Sequence, residues 1–228
     1  MGPKRKPPPN NVRNVVSLGI NRRGTFINKN GEIVQYESLQ ELIVILLFER
    51  DPDVVNYVSQ PENIVYYTAD GHKHHYTYDF KVFRADGSIE MHEVTLEKRR
   101  EESESVRNRE EAARKICAER GWKYIVHTDK TLPKGFECQN LLAFSAFRVK
   151  IHMDEIRASF WREKLKGRGK VCLVEILKEM SPEMNGYMNT LYHLIWNGEV
   201  ETDNQKPFFW WGGGVHYKAQ VWISEGRK

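Results

Sequence analysis

Two short segments joined by a tight turn constrain the fold more than any other feature of this sequence. Residues 74–84 and 88–96 are rich in aromatic and β-branched side chains, and Asp86-Gly87 lies between them. An Asp-Gly pair between two such segments is a strong β-hairpin signal. The sequence therefore predicts two neighbouring antiparallel strands here.

The alternation of side chains in this hairpin predicts that two carboxylates lie next to each other. Alternation along the first strand puts Asp79 and Lys81 on one face, and in the second strand Met91, Glu93 and Thr95 share a face. If the two acidic faces coincide, Asp79 and Glu93 meet across the sheet. Two carboxylates so placed repel each other unless a cation or a proton lies between them. Oxygen ligands suit Mg²⁺ or Mn²⁺, so a divalent metal site is expected.

A third carboxylate, Glu37, directly precedes a predicted helix. Ser38 and Glu41 form a Ser-x-x-Glu capping box, and apolar residues at helical spacing follow as far as Leu47. The positive end of a helix dipole favours a negative charge at this place. Three carboxylates beside a sheet make metal-dependent phosphodiester hydrolysis plausible. The alternative is that all three are ordinary acidic residues, with Glu37 serving only the start of the helix.

The remaining patterns predict a mixed α/β sheet flanked by helices, followed by a helical segment. Further strands are expected at 25–28, 32–36, 54–58, 63–68 and 122–127, and further helices at 97–120 and 137–148. Beyond Val149 the pattern predicts helices at 154–166, 171–180 and 184–196, then strands at 199–201 and 215–223. Helices followed by a two-stranded ribbon are typical of a winged helix.

The distribution of charged and apolar residues is compatible with a protein that binds DNA and argues against one that spans a membrane. The chain has 35 basic and 31 acidic side chains, with basic excess at Lys4–Lys6 and at residues 150–170. Such local excess suits a polyanion such as DNA, although solvated surface charge explains it equally well. No stretch approaches the ~18 apolar residues of a membrane helix, so no membrane is expected. The absence of a secretory signal and of CxxC pairs predicts a cytoplasmic protein.

An ordered set of short motifs resembles TnsA, the endonuclease subunit of heteromeric cut-and-paste transposases. The motifs are Tyr36-Glu37-Ser38, Asp51-Pro52, Gln60-Pro61, the Tyr-Thr-Tyr-Asp-Phe of residues 76–80, and Glu93-Val94. The resemblance implies a restriction-endonuclease-like domain at 12–148 and a winged-helix-like domain at 150–228, while the basic, proline-rich composition of residues 1–11 predicts a flexible tail.

The resemblance also implies a reaction and partners. The expected reaction is Mg²⁺-dependent hydrolysis of phosphodiester bonds in double-stranded DNA, at the 5′ ends of a transposon. A DDE transposase subunit would cut the opposite strands, and an AAA+ ATPase regulator would contact the C-terminal domain. A bacterial protein associated with the nucleoid is implied.

The site residues of the family carry over to Glu37, Asp79 and Glu93, as catalytic residues and metal ligands. The resemblance also implies a metal contact from the carbonyl of Val94. The family's lysine does not carry over, because Thr95 stands at its position and a neutral hydroxyl cannot stabilise the charge of a phosphorane. Another cation is therefore expected in the site. The favoured residue is Lys98, and the alternatives are Lys81, Arg107, Arg109 and Lys115.

Two rival functions remain open. With Thr95 at the lysine position, the protein can be a catalytically weak or silent scaffold that joins transposase, ATPase and DNA. A free-standing restriction-type or repair nuclease would instead cleave DNA with Mg²⁺ and without a partner. The effect of Asp79→Ala on transposition products separates the enzyme from the scaffold.

Overall fold

The computed structural model describes residues 23–68, 70–181, 185–210 and 213–225. The predicted basic tail at residues 1–11 lies outside the described residues. The chain divides into two compact units, with the division after Leu132.

The first unit is built on a four-stranded mixed sheet. Its elements in chain order are β1 (Gly24–Ile27), β2 (Ile33–Tyr36), α1 (Leu39–Arg50), β3 (Val54–Ser59), β4 (Asn63–Tyr67), β5 (Lys73–Thr77), β6 (Phe80–Arg84), β7 (Ile89–Thr95), α2 (Glu97–Glu102), α3 (Glu104–Glu119) and β8 (Lys123–Thr128). The central sheet has the order β3-β6-β7-β8, in which only β7 and β8 run parallel. A mixed sheet flanked by helices is thereby confirmed.

Helix α1 begins at the predicted capping box. The N–H of Glu41 donates to the Ser38 hydroxyl over 3.1 Å, and the N–H of Glu37 donates to the Glu41 carboxylate over 2.8 Å. These two bonds satisfy donors that have no partner inside the helix. The helix then buries Ile43, Val44, Ile45, Leu46 and Phe48. Glu37, the acidic residue directly before the helix cap, is therefore held at a fixed place at the start of the helix.

The strand predicted at residues 74–84 is wrong in one respect, because the structure divides it between two sheets. Strand β5 pairs with β4 in a two-stranded sheet, whereas β6 pairs with β3 and β7 in the central one. Tyr78 and Asp79 lie between the two strands, with the Tyr78 side chain fully buried. The carbonyl of Asp79 accepts a hydrogen bond from the Gln60 N–H over 2.8 Å. The chain therefore changes sheet at Asp79.

The single helix predicted at 97–120 is also interrupted. Ser103 ends α2, where its N–H donates to the Arg99 carbonyl, and its hydroxyl accepts from the N–H of Val106 to begin α3. A serine can replace helical backbone bonds with its own side chain, which explains a break that periodicity does not reveal. The break places α2 and α3 as separate elements after β7.

The second unit contains helices and a small antiparallel sheet. Its elements are α4 (Gly135–Phe144), α5 (Glu155–Leu165), β9 (Val171–Cys172), α6 (Leu173–Lys178), α7 (Asn185–Trp196), β10 (Val200–Thr202) and β11 (Gln220–Ile223), and short 3₁₀ turns cover Ser145–Phe147 and Lys150–His152. The sheet order is β10-β11-β9. Phe208 is buried against Phe144, Phe209 and Tyr192.

Two details of the second unit differ from the sequence analysis. The helix predicted at 171–180 opens with β9, because Val171 pairs with Val221 of β11 before the chain turns helical. Helix α4 lies in the second unit, whereas the sequence analysis placed residues 137–148 in the first domain. The functional limits at 12–148 and 150–228, and the winged-helix assignment, stay predictions. None of the helices in the described part of the chain is both long and apolar enough to cross a membrane.

Candidate active site

A polar cavity of about 490 Å³ lies in the first unit, beside the ends of β5 and β7. All three predicted carboxylates, Glu37, Asp79 and Glu93, line this cavity. The β4–β5 hairpin also contributes to the lining, with Asn63, Tyr66, His74 and His75. The structure therefore brings together acidic residues that are 56 positions apart in the chain.

Asp79 and Glu93 lie opposite each other where β6 and β7 begin to separate. Phe80 pairs with His92, so the next pair in register joins Asp79 to Glu93. The N–H of Val94 donates to the Asp79 carboxylate over 2.7 Å, which fixes its position. Burial, and then the charge of Glu93, raise the pKa of Asp79 well above its usual range, and burial also raises the pKa of Glu93. The pair therefore retains a proton unless a cation neutralises it.

Glu93 is held by two side chains. The Tyr76 hydroxyl donates to one carboxylate oxygen, and Arg109 Nη2 donates to the other over 2.5 Å. The Arg109 guanidinium also lies over the Tyr76 ring, 4.8 Å from its centroid. This arrangement fixes both the orientation of Glu93 and the position of a positive charge in the cavity wall.

Glu37 is connected to Asp79 through Gln60. The Gln60 side-chain amide donates to Glu37 over 3.5 Å, while its backbone N–H donates to the Asp79 carbonyl. Gln60 is buried and has a φ of +48°, which a residue other than glycine adopts at a cost. The strained residue thus ties the end of β3 to both carboxylate-bearing segments.

Glu41 is a fourth carboxylate that the sequence analysis treated only as part of a cap. Burial, and then the charge of Asp79, raise the pKa of Glu41 to about 7. Its carboxylate accepts from the Ser38 hydroxyl over 2.9 Å as well as from the Glu37 N–H. The Ser-x-x-Glu spacing fully accounts for Glu41 as a cap residue. The local sequence therefore gives no sign that Glu41 is also buried near Asp79. Only the folded sheet places Glu41 near Asp79.

The favoured cation, Lys98, is not among the residues that line this cavity. Thr95 ends β7 and Glu97 begins α2, so Lys98 is already helical; its side chain is 78% exposed and lies 3.8 Å from Glu102. Its predicted catalytic role stays a prediction. The cationic side chains that the structure brings to the cavity are Arg99 and Arg109.

The donor set fits a hard divalent cation in its chemistry. Carboxylate oxygens are the ligands that Mg²⁺ and Mn²⁺ prefer, and burial is the main cause that raises the pKa of both Asp79 and Glu93, so a cation beside them would favour their charged forms. However, no group of three or more His, Cys, Asp or Glu side chains within the described ranges is arranged to hold a metal ion. A cation would therefore require these side chains to draw closer together.

Comparison with known protein families agrees with this geometry. Residues 51–129 match the family described as the TnsA-like endonuclease N terminal. The matched segment contains β3 to β8, with both Asp79 and Glu93. A comparison with curated proteins found no match. Residues 51–129 are thus similar to the N-terminal domain of TnsA-like endonucleases, and the mixed sheet flanked by helices fits a restriction-endonuclease-like domain.

Proposed function

We propose that this protein is a metal-dependent DNA endonuclease subunit of a transposase. Its reaction is the hydrolysis of phosphodiester bonds at the 5′ ends of a transposon during cut-and-paste transposition. The observation that carries the proposal is the buried pair of Asp79 and Glu93, which lies inside the family-matched segment and lines one polar cavity together with Glu37. A buried pair of like charges is costly for a purely structural role and useful for holding a cation.

In this proposal Asp79, Glu93 and Glu37 hold Mg²⁺ or Mn²⁺. When bound, the ion supplies Lewis-acid activation of the phosphate and lowers the pKa of a bound water. Water attacks the phosphorus, the bond from phosphorus to the 3′ oxygen breaks, and the 3′ oxygen takes up a proton. The products are a 3′ hydroxyl and a 5′ phosphate.

The surrounding residues orient the carboxylates for this reaction. The Val94 N–H fixes Asp79, whereas Tyr76 and Arg109 fix Glu93. Glu41 holds the backbone of Glu37 at the start of α1. Its pKa of about 7 also suits the transfer of a proton at neutral pH. These contacts keep the acidic residues in place while DNA binds.

The second unit is proposed to act as a winged-helix-like partner domain. Its support is the combination of helices α5 to α7 with the three-stranded antiparallel sheet β10-β11-β9. In this role the domain contacts an AAA+ ATPase regulator, and the whole protein works beside a DDE transposase at double-stranded transposon ends on the nucleoid.

Strand cleavage by the full chain tests the proposed function. The substrate is a plasmid carrying the transposon ends, with Mg²⁺, Mn²⁺ or EDTA, in the presence and absence of transposase and ATPase. We expect metal-dependent cuts at the 5′ ends that Asp79→Ala abolishes. Asp86→Ala, which changes an exposed aspartate of the β6–β7 turn, is the matched control and should cleave normally. Cleavage that persists at full rate in Asp79→Ala contradicts the proposal.

A scaffold function is the second candidate, and two observations favour it. Thr95 is neutral and buried at the position of the family's lysine, and the described side chains do not form a ready three-ligand metal site. A scaffold would support transposition whose products include cointegrates, and Asp79→Ala would leave their yield unchanged. Clean cut-and-paste products that depend on Asp79 exclude it.

A further inference from the structure

Thr95 is neutral and stands at the position where the resemblance predicts a lysine, so the proposed active site lacks that positive charge. It lies in the cavity wall beside Glu93, and its side chain is buried. A nuclease that stabilises a phosphorane needs a positive group near the non-bridging oxygens, because charge develops there in the transition state. Some other part of the chain must therefore bring a cation to this cavity if the chain cleaves DNA.

Four of the five candidate cations make contacts outside the cavity that holds the carboxylates. Lys81 lies 3.9 Å from Glu62 and over the Trp122 ring, and Lys98 lies near Glu102 on an exposed helix face. Arg107 is exposed and donates to the Glu101 carbonyl over 2.7 Å. Lys115 lines a different cavity, which the outer face of α3 forms with β4. The fifth candidate, Arg109, lines the same cavity as the carboxylates.

Arg109 is anchored in a way that fixes its guanidinium group. One nitrogen donates to Glu93, and the planar group lies over the Tyr76 ring. A side chain held at two points loses little additional entropy when it binds a phosphate. Arg99 also lines the cavity, but its side chain is exposed and makes no ion pair within the described ranges. The two arginines therefore differ in their degree of preorganisation.

The anchoring of Arg109 leaves hydrogen-bond donors available. A guanidinium group has five N–H donors, of which Glu93 accepts from Nη2. The Nε atom is buried and has no hydrogen-bond partner in the described part of the chain, so this donor is closed to the cavity. The side chain as a whole is 27% exposed, which leaves the remaining Nη N–H groups open to a phosphate oxygen in the cavity.

We propose that Arg109 contacts the scissile phosphate and supplies the positive charge that Thr95 does not provide. The inference rests on the proposed function, which it deepens by naming a further catalytic residue. Arg109 forms no covalent bond with DNA and transfers no proton. It donates hydrogen bonds to a non-bridging phosphate oxygen, and these bonds strengthen as negative charge accumulates in the transition state.

The first test compares single-turnover cleavage by four full-length variants with that of the parent, under the conditions in which the parent cleaves. Arg109→Gln should reduce the cleavage rate about 100- to 1000-fold, as the loss of one oxyanion-stabilising donor does. Arg109→Lys, which keeps the charge and the contact with Glu93, should retain part of that rate. Guanidinium ions should partly restore cleavage by Arg109→Ala. Arg107→Gln, on the same helix, is the control and should match the parent.

The second test needs no cleavage. In EDTA, with Asp79→Ala as the parent, the affinity for transposon-end DNA is measured across a salt series. Loss of one phosphate contact should lower the slope of log K against log salt by about 1 in Arg109→Gln and leave it unchanged in Arg107→Gln. Thermal melting of each variant identifies any protein that fails to fold; if Arg109→Gln fails, Arg109→Ala replaces it in the salt comparison.

The outcomes separate this inference from the proposed function. If the parent cleaves in an Asp79-dependent way and Arg109→Gln cleaves equally fast, only the role of Arg109 is overturned. If guanidinium fails to rescue a folded Arg109→Ala protein, Arg109 merely supports the structure and the inference is also overturned. If the parent never cleaves, the proposed function fails, and an unchanged salt slope then rejects the phosphate contact as well.

Discussion

Asp79 is the residue at which the demands of folding and of the proposed chemistry conflict most directly. Its carboxyl group lies opposite Glu93, in a position that raises the pKa of both acids. A group whose pKa is raised on folding binds more protons in the folded state, so stability falls as pH rises above the unfolded value of about 3.9. In the absence of a divalent cation, the site therefore destabilises the protein at neutral pH.

Removing this charge should stabilise the metal-free protein. In Asp79→Asn the amide oxygen still accepts from the Val94 N–H, while the repulsion with Glu93 disappears. We expect a free energy of unfolding that is higher by at least about 1 kcal/mol at pH 7.5 in EDTA, since one unit of pKa corresponds to about 1.4 kcal/mol. Urea denaturation at pH 4 and pH 7.5 measures it, with a smaller gain expected at pH 4. A variant less stable than the parent at pH 7.5 would contradict the argument.

The sequence reveals only part of the site at this scale. The contact of Asp79 with Glu93 follows from alternation and one tight turn, because both are local properties. The spacing of Glu41 indicates only a cap, and Arg109 is one of several cations that the sequence offers. Their places depend on how α1 and α3 pack on the sheet, which involves contacts between residues far apart in the chain.

At the scale of elements, the change of sheet between β5 and β6 shapes the cavity. The hairpin β4–β5 forms one wall, and the central sheet carries the acidic pair. Gln60 stabilises this junction, since its N–H bonds to the Asp79 carbonyl while its backbone adopts a positive φ. The strand pattern at 74–84 does not indicate the change, because both halves contain strand-forming residues.

Two substitutions at Gln60 isolate the contribution of its backbone. Gln60→Gly and Gln60→Val both remove the contact with Glu37, but only glycine adopts a positive φ without strain. We expect Gln60→Val to be less stable than Gln60→Gly by about 1 to 2 kcal/mol, as a left-handed conformation costs a β-branched residue. Guanidinium denaturation of both variants measures the difference. Equal stabilities would show that the turn relaxes to another conformation.

At the scale of the whole molecule, a second polar network crosses the central sheet of the first unit. His92 Nδ1 lies 2.7 Å from His127 Nε2, and His92 also contacts Glu90, which accepts from Arg84 over 2.8 Å. Burial, and then the charge of His92, lower the pKa of His127 to about 4. Burial lowers the pKa of His92 as well. Both rings are therefore neutral in the folded protein at neutral pH.

This network predicts a loss of stability in mild acid. A histidine whose pKa is lowered on folding binds fewer protons in the folded state, so stability falls as pH falls from about 6.5 towards 4. The raised pKa of Glu41 acts in the opposite direction in part of this range, so a variant must isolate the histidine. We expect the parent to lose about 1 to 3 kcal/mol more than His127→Gln between pH 7 and pH 5. Melting curves at both pH values test this, and parallel losses would contradict it.

The order of strands and helices, and the mixed sheet, could be predicted because each element has its own periodicity. The partition into separate sheets and the assignment of α4 to the second unit could not, since they depend on which distant segments pair. The interruption at Ser103 could not be predicted either, because residues 97–102 are all charged helix formers that read as part of the helix after them.

The turn that joins β4 to β5 belongs to the small sheet alone. Thr68 and His72 close this turn through a backbone bond of 3.0 Å, and its strands share no ladder with β3, β6, β7 or β8. Residues added at the turn would lengthen one wall of the cavity without shifting the pairing of Phe80 with His92. The depth of the cavity can thus change while the acidic pair keeps its register.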